Sequence, residues 1–228
     1  VQDYSAFQLA FLKFSFPRAK FTLLGDLNQA IFTHENSRKL LGELGSMFPE
    51  DKTRVVQLTK SYRSTAQITN FTKHLLTNGE DIIPFTREGD LPHVYVEDGF
   101  DAAVEVVKKQ SEVDLAEHET TAIIGKTLKE CQQLTDKLAE LGVKATLIRT
   151  ENQRLVKGVI VVPSYLAKGL EFDSVIMWDA SKECYGEERD RQLVYTICTR
   201  AMHRLTIVAN QNLSPLFETV PKAEYQLN

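Results

Sequence analysis

The sequence contains little cysteine, one tryptophan and no excess of basic residues. Its three cysteines, Cys131, Cys184 and Cys198, are odd in number and lie far apart, without the CxxC pairs typical of zinc and redox sites. We therefore expect no metal site in this chain. This sparse cysteine usage is typical of a reducing compartment, and we expect a cytoplasmic protein.

Charge and hydropathy restrict the partners further. The formal net charge is −4 at pH 7, so the surface as a whole is not basic, and any contact with DNA or RNA must be local. No apolar run approaches the roughly 18 residues that a membrane helix needs, and we expect no membrane partner. Hydrophobic residues make up 43% of the 228 residues, which is enough for one large core. The chain begins with Val1 rather than Met, and we expect it to be part of a longer protein.

Short apolar runs rich in β-branched residues alternate with amphipathic stretches. Continuous runs of this length favour strands buried on both faces, as in a parallel sheet. The predicted strands cover 20–26, 55–59, 93–98, 121–125, 145–149, 158–164, 174–179 and 205–210.

Two helices are predicted from capping patterns. One covers 64–79, where Ser64 and Gln67 have capping-box spacing, and the other covers 127–142, where Thr127 and Glu130 have it. Strands alternating with helices predict a doubly wound α/β fold with a mainly parallel sheet.

A more polar segment, 32–54, interrupts the strand rhythm and predicts a domain boundary near residues 45–52. In open α/β sheets, ligands bind beyond the carboxyl ends of the strands. We therefore expect functional side chains directly after strands.

Two motifs follow the first two predicted strands. In "GDLNQ", Gly25 permits a tight turn after the strand, and the carboxamide of Gln29, three residues after Asp26, can orient a water or contact a phosphate oxygen. In "YRST", Arg63 offers a planar fork of donors that matches phosphate, and Tyr62 can stack on a base. Taken singly, the first also fits an ordinary turn, and the second fits a surface arginine beside a core tyrosine.

Two further motifs lie in the C-terminal third. In "AKGLEF", Gly169 precedes Glu171, whose carboxylate can accept a hydrogen bond from a ribose hydroxyl. In "YTICTRA", Arg200 lies near the end of a predicted helix, where a guanidinium is an unusual choice between apolar runs. Each of these also fits a structural role when considered alone.

In this order, GDxxQ, YRS, AKGLEF and YxxxTRA resemble motifs III to VI of superfamily 1 helicases of the UvrD/Rep/PcrA type. The resemblance covers nearly the whole chain. It implies a motor with two RecA-like lobes that bind ATP between them, with residues 1–48 ending the first lobe and 49–228 forming the second. Val1, Gln2 and Asp3 resemble the last positions of the Walker B motif, so the Mg²⁺ ligand, the catalytic glutamate and the phosphate loop would lie upstream of Val1.

The resemblance also implies roles for individual residues. Gln29 would sense the γ-phosphate and place the attacking water, while Arg63 and Arg200 would reach the γ-phosphate, Arg200 as an arginine finger. Tyr62 would stack on adenine, and Glu171 would hold the ribose. The nucleotide-contacting set would then comprise Gly25, Asp26, Tyr62, Gly169 and Glu171.

The sequence departs from unwinding members of the family where they contact single-stranded DNA. After GDxxQ it reads "AIFTHENS", which keeps Phe32 but lacks the usual tryptophan and arginine, and Tyr165 replaces the usual histidine of motif V. Stacking on aromatics is a main source of single-strand affinity, so these changes argue against unwinding. The candidates left for nucleic-acid contact are Phe32, Tyr165 and Lys168.

The roughly 100 residues between Arg63 and Lys168 are too few for the accessory insertion of unwinding relatives. This pattern resembles the HelD branch, whose members recycle bacterial RNA polymerase. The resemblance implies that bacterial RNA polymerase is a partner. Two alternatives stay open: an ATP-dependent DNA helicase in repair, and a non-catalytic nucleotide-binding or docking module. A fused nuclease domain is disfavoured, because the sequence lacks the clustered acidic and lysine residues of its metal site.

Overall fold

The structure, a computed structural model, describes residues 4–26, 37–56, 58–77 and 79–228. The chain divides into two units, Val1–Leu58 and Thr59–Asn228. The motor-lobe domains 1–48 and 49–228 remain a prediction.

Among its described residues, the first unit contains two α-helices, α1 (Ala6–Ser15) and α2 (Ser37–Met47). Helix α1 begins with a capping box, because the Ser5 side chain accepts from the Gln8 amide while the Gln8 side chain accepts from the Ser5 amide. Three phenylalanines on this helix are largely exposed: Phe7 at 78%, Phe11 at 58% and Phe14 at 84%.

The second unit is built from nine strands and four α-helices among its described residues. In chain order these are β1 (Lys60–Ser61), α3 (Ala66–Lys73), β2 (Ile83–Pro84), β3 (His93–Glu97), α4 (Phe100–Glu117), β4 (Thr120–Gly125), α5 (Leu128–Glu140), β5 (Ala145–Leu147), β6 (Gly158–Pro163), β7 (Phe172–Met177), α6 (Arg191–Cys198), β8 (Ala201–Asn210) and β9 (Gln226–Leu227).

Seven of these strands form one parallel sheet in the order β5-β6-β4-β7-β8-β3-β9, and β1 pairs with β2 separately. The central strands carry apolar side chains on both faces, and each face has its own buried cluster. Ile124 lies in the cluster that includes Phe71 of α3 and Ile197 of α6, while Ile123 lies in the cluster that includes Leu134 of α5. Helices therefore cover both faces, and the predicted doubly wound, mainly parallel fold is confirmed.

Two of the predicted strands are wrong. The described residues of 20–26 and 55–59 have no strand structure. A strand needs a neighbour that pairs with its backbone groups, and these runs have exposed side chains: Leu24 at 79%, Val55 at 83%, Val56 at 62% and Leu58 at 89%. Hydrophobicity alone did not separate them from the buried strands.

The capping prediction is confirmed for one helix and wrong for the other. Thr127 and Glu130 form the predicted capping box of α5. Helix α3, in contrast, is capped by Thr65, whose side chain accepts from the Ile68 amide, and it ends at Lys73 rather than near Gly79. The hydroxyl of Ser64 instead donates to the Ala201 carbonyl at 2.6 Å.

None of the helices within the described ranges is long and apolar enough to cross a membrane.

Candidate nucleotide site at the amino ends of β7 and β8

The segment that carries Tyr62 and Arg63 is fastened to the start of β8. It follows β1 and leads into the cap of α3. Ser64 donates to the Ala201 carbonyl, and the Thr65 amide donates to the Met202 carbonyl at 3.2 Å. The sequence-predicted phosphate-binding segment thus lies beside the residues that follow Arg200.

Arg63 and Glu171 form an ion pair. The Arg63 Nε atom lies 2.6 Å from Glu171 Oε1, and the two side chains are 35% and 43% exposed. The family resemblance implies a contact with the γ-phosphate for Arg63 and with the ribose for Glu171. The structure brings them together across 108 positions of sequence, and solvent can still reach both.

Glu171 is presented by a tight turn between β6 and β7. Gly169 in this turn has φ +80°, a left-handed conformation that glycine adopts without steric cost. Phe172, the first residue of β7, pairs in register with Ala201, the first residue of β8, and its amide donates to the Arg200 carbonyl at 3.0 Å. Glu171 and Arg200 are therefore adjacent at the starts of neighbouring strands.

Arg200 is buried, with 1% of its surface exposed. It lies in the turn between α6 and β8. Its Nε donates to the Thr196 carbonyl at 3.0 Å, Nη1 to the Leu170 carbonyl at 3.2 Å and Nη2 to the Thr199 hydroxyl at 3.4 Å. The guanidinium therefore ties the end of α6 to the turn that carries Glu171. To reach a phosphate, it would have to exchange these acceptors.

The cluster lies at the amino ends of β7 and β8, which differs from the expectation that functional groups follow the strands. At the carboxyl end of β4, Lys126 lies 2.9 Å from Asp190 and 4.9 Å from the centroid of the Tyr185 ring. It also donates to the Cys184 carbonyl. Lys126 is thus engaged by groups of the same unit, whereas the Arg63–Glu171 pair remains half-exposed.

Tyr62 is exposed at 62% and packs against a second aromatic ring. Its centroid lies 4.9 Å from that of Phe85, which follows β2, at an interplanar angle of 44°. No sequence motif contains Phe85, and nothing in the residues around it indicates that β1 and β2 pair. An exposed ring supported on one side by another ring is suited to stacking on a planar base.

Arg87 is a second residue that sequence reasoning missed. One of its terminal nitrogens, Nη2, donates to the carbonyl of Arg63 and to the carbonyl of Met202, the latter at 3.0 Å. No motif contains it, and only the proximity of two carbonyls distant in sequence reveals its role.

The remaining predicted residues lie apart from this cluster or outside the described residues. Gly25 and Asp26 lie in the first unit, in a segment without regular secondary structure, while Gln29 and Phe32 are outside the described residues. Tyr165, exposed at 41%, and Lys168, which is half-buried, lie in the connection between β6 and β7.

Arg204, four residues after Arg200, belongs to an ion-pair network. It lies within β8, and its guanidinium contacts Asp114 at 3.2 Å, Asp90 at 3.1 Å and Glu117 at 2.7 Å. Burial raises the pKa of Asp114, and hydrogen bonds from Gln110 and Arg204 oppose that rise. This network fastens α4 to β8. Because its guanidinium is engaged by these carboxylates, Arg204 is not part of the cluster of Arg63, Glu171 and Arg200.

The described residues contain no group of three or more His, Cys, Asp or Glu side chains placed to hold a metal ion. The donor set of the cluster, two guanidinium groups, one carboxylate and an exposed ring, instead fits the phosphates, sugar and base of a nucleotide.

Comparisons with known proteins point to one family. Residues 158–208, from β6 into β8, match the model of a family described as UvrD-like helicase C-terminal domain. The structure also resembles the C-terminal domain of a possible DNA helicase from Lactobacillus strain WCFS1. The identity is 56% and the TM-score 0.67, over 74% of this chain and 99% of that chain. No curated protein matches.

Two further structures are less similar. One is arterivirus nonstructural protein 10, a helicase, in complex with DNA, at 10% identity and a TM-score of 0.40 over 70% of this chain and 37% of that chain. The other is the E. coli DEAD-box protein SrmB, at 14% identity and a TM-score of 0.33 over 60% and 96%. Both likenesses are too weak to support an inference about the present chain.

Proposed function

Because the chain belongs to the family of UvrD-like helicase C-terminal domains, we propose that it works as a motor lobe of an ATP-dependent superfamily 1 helicase or translocase. The observation that carries the proposal is the half-exposed Arg63–Glu171 pair, which lies beside an exposed aromatic ring and next to the turn that holds Arg200.

Each group of the cluster suits one part of ATP. The ring of Tyr62 stacks on adenine, and the carboxylate of Glu171, an acceptor only, receives a ribose hydroxyl. The guanidinium of Arg63 offers a planar fork to the γ-phosphate, where charge develops during phosphoryl transfer. Arg200 holds the Glu171 turn through the Leu170 carbonyl and contributes its charge to the phosphate when the lobes close.

Glu171 and the γ-phosphate compete for Arg63 in this scheme. An ion pair between half-exposed side chains contributes about 0–1 kcal/mol, so a nucleotide phosphate displaces it at little cost. When ATP binds, Arg63 turns to the phosphate and Glu171 becomes available to the ribose. The pair thus keeps both groups in place without blocking the site.

The rest of the first lobe, upstream of Val1, completes the motor. It would supply the phosphate loop, the general base and the ligands of Mg²⁺, and the ion would neutralise negative charge on the phosphates of ATP. Residues 1–48, with Gly25, Asp26 and Gln29, belong to that lobe, and residues 49–228 form the second. The exposed face of α1, formed by Phe7, Phe11 and Phe14, supports this arrangement, since it needs an apolar neighbour.

The work done by the motor is the remodelling of bacterial RNA polymerase, as in the HelD branch, rather than duplex unwinding. The residues between Arg63 and Lys168 form helices and strands of the second unit itself, which leaves no room for a separate accessory domain. The net charge of −4 also disfavours a broad nucleic-acid surface. A DNA helicase acting in repair is the alternative, favoured by the relative described as a possible DNA helicase.

Two assays on the full-length protein separate these functions. We expect RNA polymerase to co-purify with it from cell extract, ATP to promote release of that polymerase from DNA or RNA, and little displacement of a labelled strand from a duplex. Robust strand displacement without polymerase association would establish the repair helicase instead.

A third outcome, no ATP hydrolysis by the full-length protein in either assay, would support a non-catalytic nucleotide-binding or docking module. In this proposal the phosphate loop and the general base belong to the part of the first lobe outside residues 1–228, so the 228-residue chain alone is expected to hydrolyse no ATP.

A further inference from the structure

One half-buried guanidinium, that of Arg87, joins the two segments that carry the predicted phosphate-binding arginines. Its Nη2 donates to the backbone carbonyl of Arg63 and, at 3.0 Å, to that of Met202, two residues after Arg200. Neither acceptor is a side chain. Arg87 therefore fixes the backbone from which the Arg63 side chain extends.

The segment around Arg87 runs alongside the segment that carries Tyr62 and Arg63. The Phe85 amide donates to the Ser61 carbonyl at 3.1 Å, and the Ala66 amide donates to the Arg87 carbonyl at 2.7 Å. Backbone hydrogen bonds thus bracket Tyr62 and Arg63 on both sides. The ring of Phe85 adds the contact with Tyr62.

Gly89 extends the same contact surface to the cap of α3. Its amide donates to Gln67 Oε1 at 2.9 Å, and a Cβ atom at this position would lie 2.5 Å from the Thr65 Cγ2 atom. The close approach that glycine permits keeps the 83–89 segment pressed against residues 59–67.

An arginine suits this position because of its geometry. A charged donor makes stronger hydrogen bonds than a neutral one, and the rigid guanidinium plane fixes the direction of both bonds in a way that a lysine ammonium does not. The Arg87 Nε is buried and has no partner among the described residues.

We propose that Arg87 is a positioning residue for ATP hydrolysis, which acts through Arg63 by holding its backbone against the start of β8. The proposal rests on the proposed function for its consequence in catalysis, but the positioning itself is independent of it. A guanidinium displaced by about 1 Å from its productive place lowers the rate about 100-fold, so loss of Arg87 lowers kcat rather than nucleotide affinity.

The catalytic test uses the full-length protein with Arg87→Gln, Arg87→Lys and the double variant Arg63→Ala/Arg87→Gln. We expect Arg87→Gln to lower kcat about 100-fold with little change in KM for ATP, and Arg87→Lys to recover part of this loss. In the Arg63→Ala background, Arg87→Gln should cause little further loss. Equal losses in both backgrounds would show a general structural role and overturn the proposal, as would wild-type kcat in Arg87→Gln.

A second measurement does not depend on hydrolysis. The NMR signal of the Arg63 Nε–H group, which faces Glu171 Oε1, reports whether the ion pair persists. We expect Arg87→Gln, and to a smaller degree Arg87→Lys, to move this signal towards its position in Glu171→Gln. The control Arg189→Gln, whose side chain is exposed and paired with Glu187, should leave it unchanged.

The two measurements separate the proposals. An unchanged Arg63 signal in both Arg87 variants would overturn the positioning role whatever the ATPase result. If the wild-type protein had no ATPase activity but the Arg63 signal shifted in the Arg87 variants, the proposed function would be contradicted. The role of Arg87 in positioning Arg63 would still be supported.

Discussion

Replacing Arg200 with alanine tests the role of a buried guanidinium at the predicted catalytic site. The residue is 1% exposed and donates to the carbonyls of Thr196 and Leu170. The Thr196 carbonyl keeps a second donor, the Thr199 hydroxyl at 3.0 Å. The Leu170 carbonyl is therefore the acceptor that the substitution leaves without the arginine donor. An orphaned carbonyl costs about 1–3 kcal/mol, and two buried methylenes of the stem contribute about 1.6 kcal/mol. Relief of guanidinium desolvation offsets part of this, and we expect a net loss of about 2–4 kcal/mol.

Urea unfolding of the chain, followed by circular dichroism, measures this loss. Arg63→Ala should change the free energy of unfolding by no more than about 1 kcal/mol, because its ion pair is half-exposed, and the exposed control Arg189→Ala should change it by even less. The alanine variants of the two arginines predicted to contact the γ-phosphate would then differ sharply in their free energy of unfolding. If the free energy of unfolding of Arg200→Ala stayed within about 0.5 kcal/mol of wild type, the role of Arg200 in holding α6 to the Glu171 turn would be refuted.

Two further predictions concern the turn of the site and the pH dependence of stability. Gly169→Ala should lower the free energy of unfolding by about 1–2 kcal/mol, because its φ of +80° is left-handed although an added Cβ meets no atom within 4 Å. Gly42→Ala, in α2 with equal space around it, should instead raise stability by roughly 0.5–1 kcal/mol; equal effects at both sites would contradict the strain. Burial, and then the charge of Arg87, lower the pKa of His203 in the folded protein. The neutral imidazole therefore contributes to folding stability above its ordinary pKa of 6.5, and this contribution is lost as the pH falls through and below that value. Urea titrations from pH 7.5 to 5.5 should therefore show a steeper loss for wild type than for His203→Gln, and parallel curves would exclude this role for His203.

The sequence predicted the parallel sheet well, because its strands are buried on both faces and their apolar runs reflect this directly. Every predicted strand from 93 onwards has a counterpart among β3 to β8. The runs 20–26 and 55–59 are equally apolar but have no paired strand among the described residues. Pairing is a property of the neighbour, which the local sequence does not contain.

Competition between adjacent residues explains the cap of α3. Ser64 and Thr65 are both good caps, and only the distant Ala201 carbonyl, which accepts from Ser64, leaves the cap to Thr65. Similarly, Arg200 and Arg204 look alike in sequence. Arg200 is buried against backbone carbonyls, while Arg204 meets three carboxylates, two from α4 (Asp114 and Glu117) and one from Asp90, which precedes β3.

The candidate site was predicted in part. The motifs identified Tyr62, Arg63, Glu171 and Arg200, which the structure brings to the amino ends of β7 and β8 or to the segment beside them. They did not identify Arg87, because its acceptors are backbone carbonyls that any residue type could provide. Such contacts leave no trace in residue types or spacing.

The most direct test of the central claim is the ATPase activity of the full-length protein carrying Arg63→Ala, compared with wild type and with the exposed control Arg189→Ala. Loss of an arginine that stabilises the transferring phosphoryl group lowers turnover by about 10³-fold or more. We expect this loss at saturating ATP in Arg63→Ala, with unfolding unchanged within about 1 kcal/mol, and wild-type turnover in the control. Wild-type turnover in Arg63→Ala would contradict the assignment of this cluster as the nucleotide site of a motor.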